Sequence, residues 1–306
     1  MKTAAIFLFI SLAFICSCKQ HKKFVRVREQ PLRQQPKTIT YQIANAKQWL
    51  LADTTGNSLK QQIVLAINRT DKAAFAKMDS VVIPTDMSGD IAYYLPFPLS
   101  VPYLANIDKI IFFSYPTQTF ATYENGVLIY TGPTNMGRKA DPTPTGLFFA
   151  NWKAEKTIST VNDEWELLWN FNIANKEGVG WHQYSMPGYP ASHSCLRLQE
   201  KDARYLYNWA DQWVLNGKET VLANGTPVVV FGSYNFDAPK PWLQLIANPH
   251  ALDITSDQIQ NQTMPFLDKI LAEQTKRETI QAGKEQVSFT GIPLPVKKQR
   301  FNCALS

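Results

Sequence analysis

Asn125 and Gly126 stand between two runs of β-branched and aromatic residues, Thr119-Phe120-Ala121-Thr122-Tyr123 and Val127-Leu128-Ile129-Tyr130. A two-residue turn that respects the right-handed twist of its strands needs positive φ at both positions, and Asn-Gly supplies this readily. The pair predicts a tight hairpin and commits this part of the chain to β-structure. Its surroundings agree. Ile107 and Ile110-Ile111-Phe112-Phe113 precede it, and the turn Thr143-Pro144-Thr145-Gly146 leads into Leu147-Phe148-Phe149-Ala150. Thr226-Pro227 then opens Val228-Val229-Val230-Phe231, a buried strand by composition. One or two helices are expected inside the block, one of them from Asp202 to Leu215, carrying Ala203, Leu206, Tyr207, Ala210 and Val214 and stopped by Gly217.

The expected fold class is mainly β with α. Residues 106–235 form the β-rich domain, with a small helical module before it at 41–105 and a helical extension after it at 236–306. In the module, residues 42–69 read as helical: Trp49, Leu50 and Leu51 open an apolar face, and Leu59, Ile63 and Ile67 continue it. Residues 54–58 split this run, with Ser58 as N-cap of the second helix. Val81-Val82-Ile83-Pro84 reads as a short strand, and Pro96, Pro98 and Pro102 as an extended connection. In the extension, a helix over 256–282 carries Ile259, Phe266, Ile270 and Leu271.

The N-terminus reads as an export signal. Lys2 precedes an apolar run, Ala4 to Phe14, that is too short to span a bilayer comfortably. It ends in Ile15-Cys16-Ser17-Cys18, which resembles a bacterial lipobox with Cys18 as the lipid-bearing residue, so residues 1–18 are expected to be a lipoprotein signal peptide. Residues 19–40, rich in Lys, Arg, Gln and Pro, read as a flexible tether. Their cations, Lys19, Lys22, Lys23, Arg26, Arg28 and Arg33, suit an anionic lipid surface or polymer. Nucleic acid is not expected, because no aromatics interleave with this run and no binding motif follows it. The expected location is the cell envelope, lipid-anchored and periplasmic. With four cysteines in 306 residues, the chain is not a disulfide framework. Pairing of Cys195 with Cys303 stays open.

Cys195 draws attention through its neighbours. The stretch from His182 to Leu198 holds two of the chain's four histidines, His182 and His193, and Arg197 follows the cysteine by two residues. A cysteine nucleophile needs a base or cation to form the thiolate, donors for a developing oxyanion, and access to substrate. Ser192 and Ser194 are small flanking residues whose turn lets backbone amides approach a carbonyl. Pro187, Gly188 and Pro190 make the arm from His182 a fixed loop that can fold over Cys195. A zinc site of His182, His193 and Cys195 lacks the spacing and a nearby fourth ligand, so no metal is expected. Tyr184 and Tyr189 either line a cleft or cover the core. Trp165, Trp169 and Trp181 read first as packing.

Here the chain resembles the L,D-transpeptidase catalytic domain, also called the YkuD domain. Ser192-His193-Ser194-Cys195-Leu196-Arg197 is similar to the family pattern Ser/Thr-His-Gly-Cys, apolar, Arg or Asn, with Ser194 where glycine is frequent. His182 stands where the family's first histidine stands, followed by Gln183 rather than glycine. The Thr143–Gly146 turn and Gly225-Thr226-Pro227-Val228 resemble further family features. The resemblance implies a mixed β-sandwich and a peptidoglycan L,D-transpeptidase that needs no cofactor. Cys195 would attack a tetrapeptide stem, typically with a diamino acid at its third residue, to give a thioester. A stem amine would resolve it into a 3→3 crosslink, or water would give L,D-carboxypeptidase activity. His182 is the implied base, His193 and Arg197 shape the turn and its charge, and Ser194 and Cys195 amides form the oxyanion hole. Ser192 and Tyr184 complete the substrate-binding set. The alternative is a non-catalytic peptidoglycan-binding lipoprotein with a degenerate form of this fold. A papain-like peptidase would want its histidine downstream of the cysteine, where only His250 stands at a distance.

Overall fold

The computed structural model describes residues 29–52, 59–159, 165–217 and 219–289. The N-terminal part contains β1 (Tyr41–Asn45), α1 (Ala46–Ala52), α2 (Leu59–Ile67), α3 (Lys72–Phe75) and β2 (Ser80–Pro84). The middle contains β3 (Ile110–Ser114), β4 (Thr119–Glu124), β5 (Val127–Pro133), β6 (Gly146–Phe149), β7 (Lys153–Ile158), β8 (Glu166–Ala174), β9 (Val179–Gln183), β10 (Leu196–Leu198), α4 (Glu200–Trp209), β11 (Val214–Asn216), β12 (Thr220–Ala223) and β13 (Pro227–Phe231). Helices α5 (Ser256–Thr263) and α6 (Leu267–Phe289) follow.

Two sheets carry the middle of the chain. One has the order β5-β4-β3-β13-β6 and the other β10-β9-β8-β7. Ile111, Phe113, Phe120, Val228 and Val230 of the first pack with Phe171, Trp181, Leu196 and Leu198 of the second, and Ala203 and Leu206 of α4 join them. The opposite face of the first sheet, through Ile110, Phe112, Tyr123 and Val229, packs on Leu104, Ile107, Ile259 and Ile270. Strand β3 is thus buried on both faces, which is why its apolar run is continuous rather than alternating. The C-terminal helices supply part of that second cover. Thr255 starts α5 with a reciprocal capping box to Gln258.

The hairpin forms at Asn125-Gly126, with φ of 48° and 79° and Glu124 paired to Val127. A Cβ at Gly126 would lie 2.5 Å from the Val101 carbonyl oxygen, so glycine also permits a close backbone approach there.

The N-terminal part departs from the helical reading at its start. Residues 42–45, expected as the head of a helix, form with Tyr41 a strand paired antiparallel with β2. Val81, Val82 and Ile83 offer it an extended partner, and this tertiary pairing overrides local helical spacing. The break at 54–58 and its cap Ser58 lie outside the described residues. So do Cys18, Cys303 and the cations before residue 29. The stretch 29–40, expected as part of a flexible tether, instead lies on the body. Arg33 Nη2 donates to the Leu128 and Ile129 carbonyls at 2.8 and 3.2 Å, Arg33 Nε lies 3.5 Å from Asp90, and the Lys37 amide donates to Asp86 at 2.8 Å.

The helix expected over Asp202–Leu215 ends at Trp209. Ala210 takes an extended conformation, and Val214–Asn216 pairs with β12 across a turn at Gly217, whose φ is 68°. The apolar spacing up to Ala210 belongs to α4, whereas Val214 continued that spacing only by coincidence.

The segment after α2 reaches the loop that follows β9. Asp71 N donates to the Met186 carbonyl at 3.1 Å, the Met186 amide donates to Asp71 Oδ2 at 2.7 Å, and Thr70 bridges to Pro187. Gly188 has φ of 79°, and a Cβ there would meet Met78 Cε at 2.5 Å and the Asn68 carbonyl oxygen at 3.2 Å. Gly188→Ala is therefore expected to destabilise the chain by about 1–2 kcal/mol and to loosen this loop. Denaturant unfolding and limited proteolysis within 184–190 are the checks.

Candidate active site

Strand periodicity builds the site. β10 runs parallel to β9, with Leu196 opposite Trp181 and Arg197 opposite His182. Side chains alternate along a strand, and paired residues share a face. Trp181, Leu196 and Leu198 therefore enter the core, where each is fully buried. His182 and Arg197 face the other way, with Cys195 just before β10 on the same side as Arg197. His182, Tyr184, Ser192, His193, Cys195 and Arg197 line one cleft, completed by Ser159, Trp165 and Leu167. Six of the seven site positions expected from sequence thus meet there. The seventh, Ser194, lies outside the lining, between His193 and Cys195.

The turn carrying Cys195 is pinned by short contacts. Ser192 Oγ donates to the Cys195 carbonyl at 2.5 Å, and the Ser192 amide donates to the Met136 carbonyl at 3.1 Å. Asn135 exchanges backbone hydrogen bonds with Arg197, each at 2.9 Å. Thr143, from the Thr-Pro-Thr-Gly turn, receives the Gly137 amide on Oγ1 at 2.8 Å and donates to the Ser194 carbonyl at 2.9 Å. Ser194 has φ of 73°, the left-handed conformation that glycine adopts without penalty. Here serine takes it, with Oγ donating to the His193 carbonyl at 2.5 Å. Thr143→Val would leave a buried amide and a carbonyl without partners, so a loss of about 1–3 kcal/mol is expected. Thermal or urea unfolding reads that loss, and Thr143→Ser should recover most of it.

His182 is 4% exposed, and its Nδ1 lies 3.0 Å from the Gln183 carbonyl oxygen. A carbonyl only accepts, so Nδ1 carries the proton and Nε2 keeps its lone pair. Burial, with Arg197 adding to it, lowers the His182 pKa to about 4, against the hydrogen bond to Gln183. Burial pushes the Cys195 thiol up, while a backbone hydrogen bond at Gly180 and the Arg197 charge oppose the rise. Cys195 is partly exposed and pairs with no other cysteine among the described residues, and its Sγ lies 3.7 Å from the Gly178 carbonyl oxygen. At neutral pH the resting site therefore holds a neutral imidazole and a protonated thiol.

Arg197 lies with its guanidinium 4.6 Å from the Tyr184 ring centre and reaches the Ser185 carbonyl at 3.5 Å. His193 sits against the Trp165 ring at 5.2 Å, with Nε2 3.9 Å from Asp141 Oδ2. Its Nδ1 is buried and has no hydrogen-bond partner among the described residues. Trp165 is thus a wall of the site rather than core packing, whereas Trp181 is core. Tyr189 is 52% exposed and lies outside the cleft lining, although its carbonyl accepts from Asn135 Nδ2. Sequence reasoning left Asp141 and Ser159 unassigned, because only the folding of β7 and of the 138–143 turn brings them here.

A thiol and a histidine presented from adjacent parallel strands, with an arginine on the same face, define a site suited to acyl transfer. Residues 108–230 match the family model of the YkuD L,D-transpeptidase catalytic domain. No curated protein matches the chain significantly. Among solved structures it is similar to an L,D-transpeptidase from Stackebrandtia nassauensis, with 24% identity over 42% of this chain and 57% of that one at a TM-score of 0.34. It is also similar to one from Mycobacterium smegmatis, with 20% identity over 41% and 59% at a TM-score of 0.33. A third, from Mycobacterium tuberculosis, has 21% identity over 41% and 58% at a TM-score of 0.33. The chain thus spans less than two thirds of the length of each of these structures.

Proposed function

We propose that the chain is a peptidoglycan L,D-transpeptidase with Cys195 as nucleophile. The observation that carries this reading is the placement of Cys195 and His182 on one face of the β9–β10 pair, lining one cleft within the family-matched residues. As a tetrapeptide stem enters, His182 takes the thiol proton and Sγ bonds to the carbonyl carbon of the third stem residue. The C–N bond to the terminal D-alanine breaks, and the proton passes to the departing amine. This leaves a thioester on Cys195. An acceptor stem amine then attacks the thioester, forms the 3→3 peptide bond and returns the proton to sulfur. Water in its place gives the free tripeptide acid.

The neutral resting pair suits this order of events. A neutral imidazole can accept a proton when substrate excludes water, and Arg197 favours the developing negative charge on sulfur. The amides of Ser194 and Cys195 are the proposed oxyanion donors, and Tyr184 and Ser192 complete the substrate-binding wall. His193 acts in this reading by orienting the turn. Anchoring through a lipid on Cys18 at the cell envelope, on the periplasmic side, belongs to the same proposal and is supported by the Ile15-Cys16-Ser17-Cys18 stretch.

The test is to incubate the full-length chain with purified disaccharide-tetrapeptide and follow products by mass spectrometry. A 3→3 dimer, or tripeptide with released D-alanine, supports the reading and separates crosslinking from trimming. Absence of either product with any stem peptide leaves the non-catalytic wall-binding lipoprotein as the better account.

A further inference from the structure

Arg69 is 1% exposed, yet no carboxylate pairs with it among the described residues. Its Nε donates to the Thr117 carbonyl at 2.7 Å, and its Nη1 donates to the Ala66 and Ile67 carbonyls at 2.7 and 2.8 Å. Those neutral oxygens, two of them at the end of α2, hold the group in place. Nη2 has no hydrogen-bond partner among the described residues. Uncompensated burial lowers the Arg69 pKa to about 9, and the guanidinium carbon stands 5.4 Å from the Trp242 ring centre. A buried charge without a counter-charge is costly, and such groups are ordinarily paired.

Arg69 lines a cavity of about 430 Å³. Its other walls include Ile39, Leu95, Phe97, Leu99 and Tyr41. The Tyr41 hydroxyl likewise makes no hydrogen bond among the described residues. Burial pushes its pKa up to about 12, so it is a proton donor at any physiological pH. Asp253 is the one acid in the lining; it is half exposed and is held by His250 at 2.7 Å. The cavity therefore presents the Arg69 guanidinium and the Tyr41 hydroxyl beside an apolar wall of Ile39, Leu95, Phe97 and Leu99, with Gln35, Tyr93, Tyr94 and Thr255 as further polar lining.

We propose that this cavity is a second ligand site, separate from Cys195, that takes a carboxylate with an apolar body. The carboxylate would accept from Arg69 Nη2 and from the Tyr41 hydroxyl, and its body would fill the wall of Leu95, Phe97 and Leu99. The apolar wall of Ile39, Leu95, Phe97 and Leu99 beside the guanidinium favours an acid with an aliphatic or aromatic body. The site also touches the catalytic loop through sequence neighbours of Arg69, because Thr70 and Asp71 hold Met186 and Pro187.

The test is calorimetric titration of the full-length chain with octanoate, its neutral analogue octanamide, and acetate. Octanoate is expected to bind saturably at one site. Octanamide should bind at least about tenfold more weakly, because the interaction with the guanidinium is charge-assisted. Acetate, lacking the apolar body, should give no measurable saturation. Tyr41→Phe and Arg69→Gln should each weaken octanoate severalfold, while Cys195→Ala should leave it unchanged. Should Arg69→Gln fail to fold, the octanoate and octanamide pair on the unaltered protein and Tyr41→Phe still decide. Equal binding of octanoate and octanamide overturns the proposal. So does undiminished octanoate binding in Tyr41→Phe, or no saturable octanoate binding below about 10 mM.

Discussion

Cys195→Ala is expected to abolish both 3→3 dimer and tripeptide formation, a loss of at least about 10³-fold in turnover. The side chain is half-buried at the end of a strand, and alanine fits there without a new polar group, so the fold should persist. The same substitution should remove covalent labelling by a carbapenem, a reaction that the family resemblance implies for the thiolate. Circular dichroism beside mass spectrometry separates loss of chemistry from loss of structure. Residual product at more than about one-thousandth of the parent rate would remove Cys195 from the role of nucleophile.

His182→Gln carries the second-largest expected effect. Loss of the proton acceptor should lower turnover by about 10²–10⁴-fold while substrate binding changes little. The pH behaviour gives an independent reading. His182 titrates at about 4 in the folded chain and at its ordinary 6.5 when unfolded. Between those values the unfolded chain takes up a proton that the folded chain refuses. The stability tied to this group is complete above pH 6.5 and falls as the pH drops towards 4, by up to about 3 kcal/mol.

Asp202 works in the opposite direction. Its carboxyl is fully buried, accepts from the Tyr130 hydroxyl at 2.7 Å, and burial pushes it up to about 6 from an ordinary 3.8. The folded chain keeps that proton where the unfolded chain releases it. Its contribution is therefore present at low pH and lost as the pH rises through 6. Urea unfolding of His182→Gln and of Asp202→Asn across pH 4 to 7 separates the two. The acid-side fall should flatten in the first variant and steepen in the second. No change in either profile would show that neither group titrates as its burial requires.

Much of the β-domain was legible in the chain, because its signals are local. Asn125-Gly126 dictates a turn by its permitted φ, and the apolar runs of β3 and β13 are too continuous for strands that face water. Leu196 and Leu198 flank Arg197 in alternation, which is enough to put Arg197 and Cys195 opposite the core. His182, His193 and Arg197 were legible as a cluster because all three lie within thirteen residues of Cys195. The break of α4 at Trp209 was not legible, since Val214 keeps helical spacing while its actual partner is β12.

Sequence alone determined which residue types are available for the chemistry, where the tightest turn falls, and which stretches must be buried on both faces. Those follow from backbone angles and side-chain polarity. Only the tertiary structure decided which distant segments meet. It paired Tyr41–Asn45 with β2, carried Thr143 beneath Ser194, made Trp165 a wall of the cleft, and buried Arg69 with no carboxylate partner among the described residues. Each of these depends on contacts between residues far apart in the chain, whose energies come from burial and hydrogen-bond satisfaction in the assembled fold and leave no periodic trace in the order of the residues.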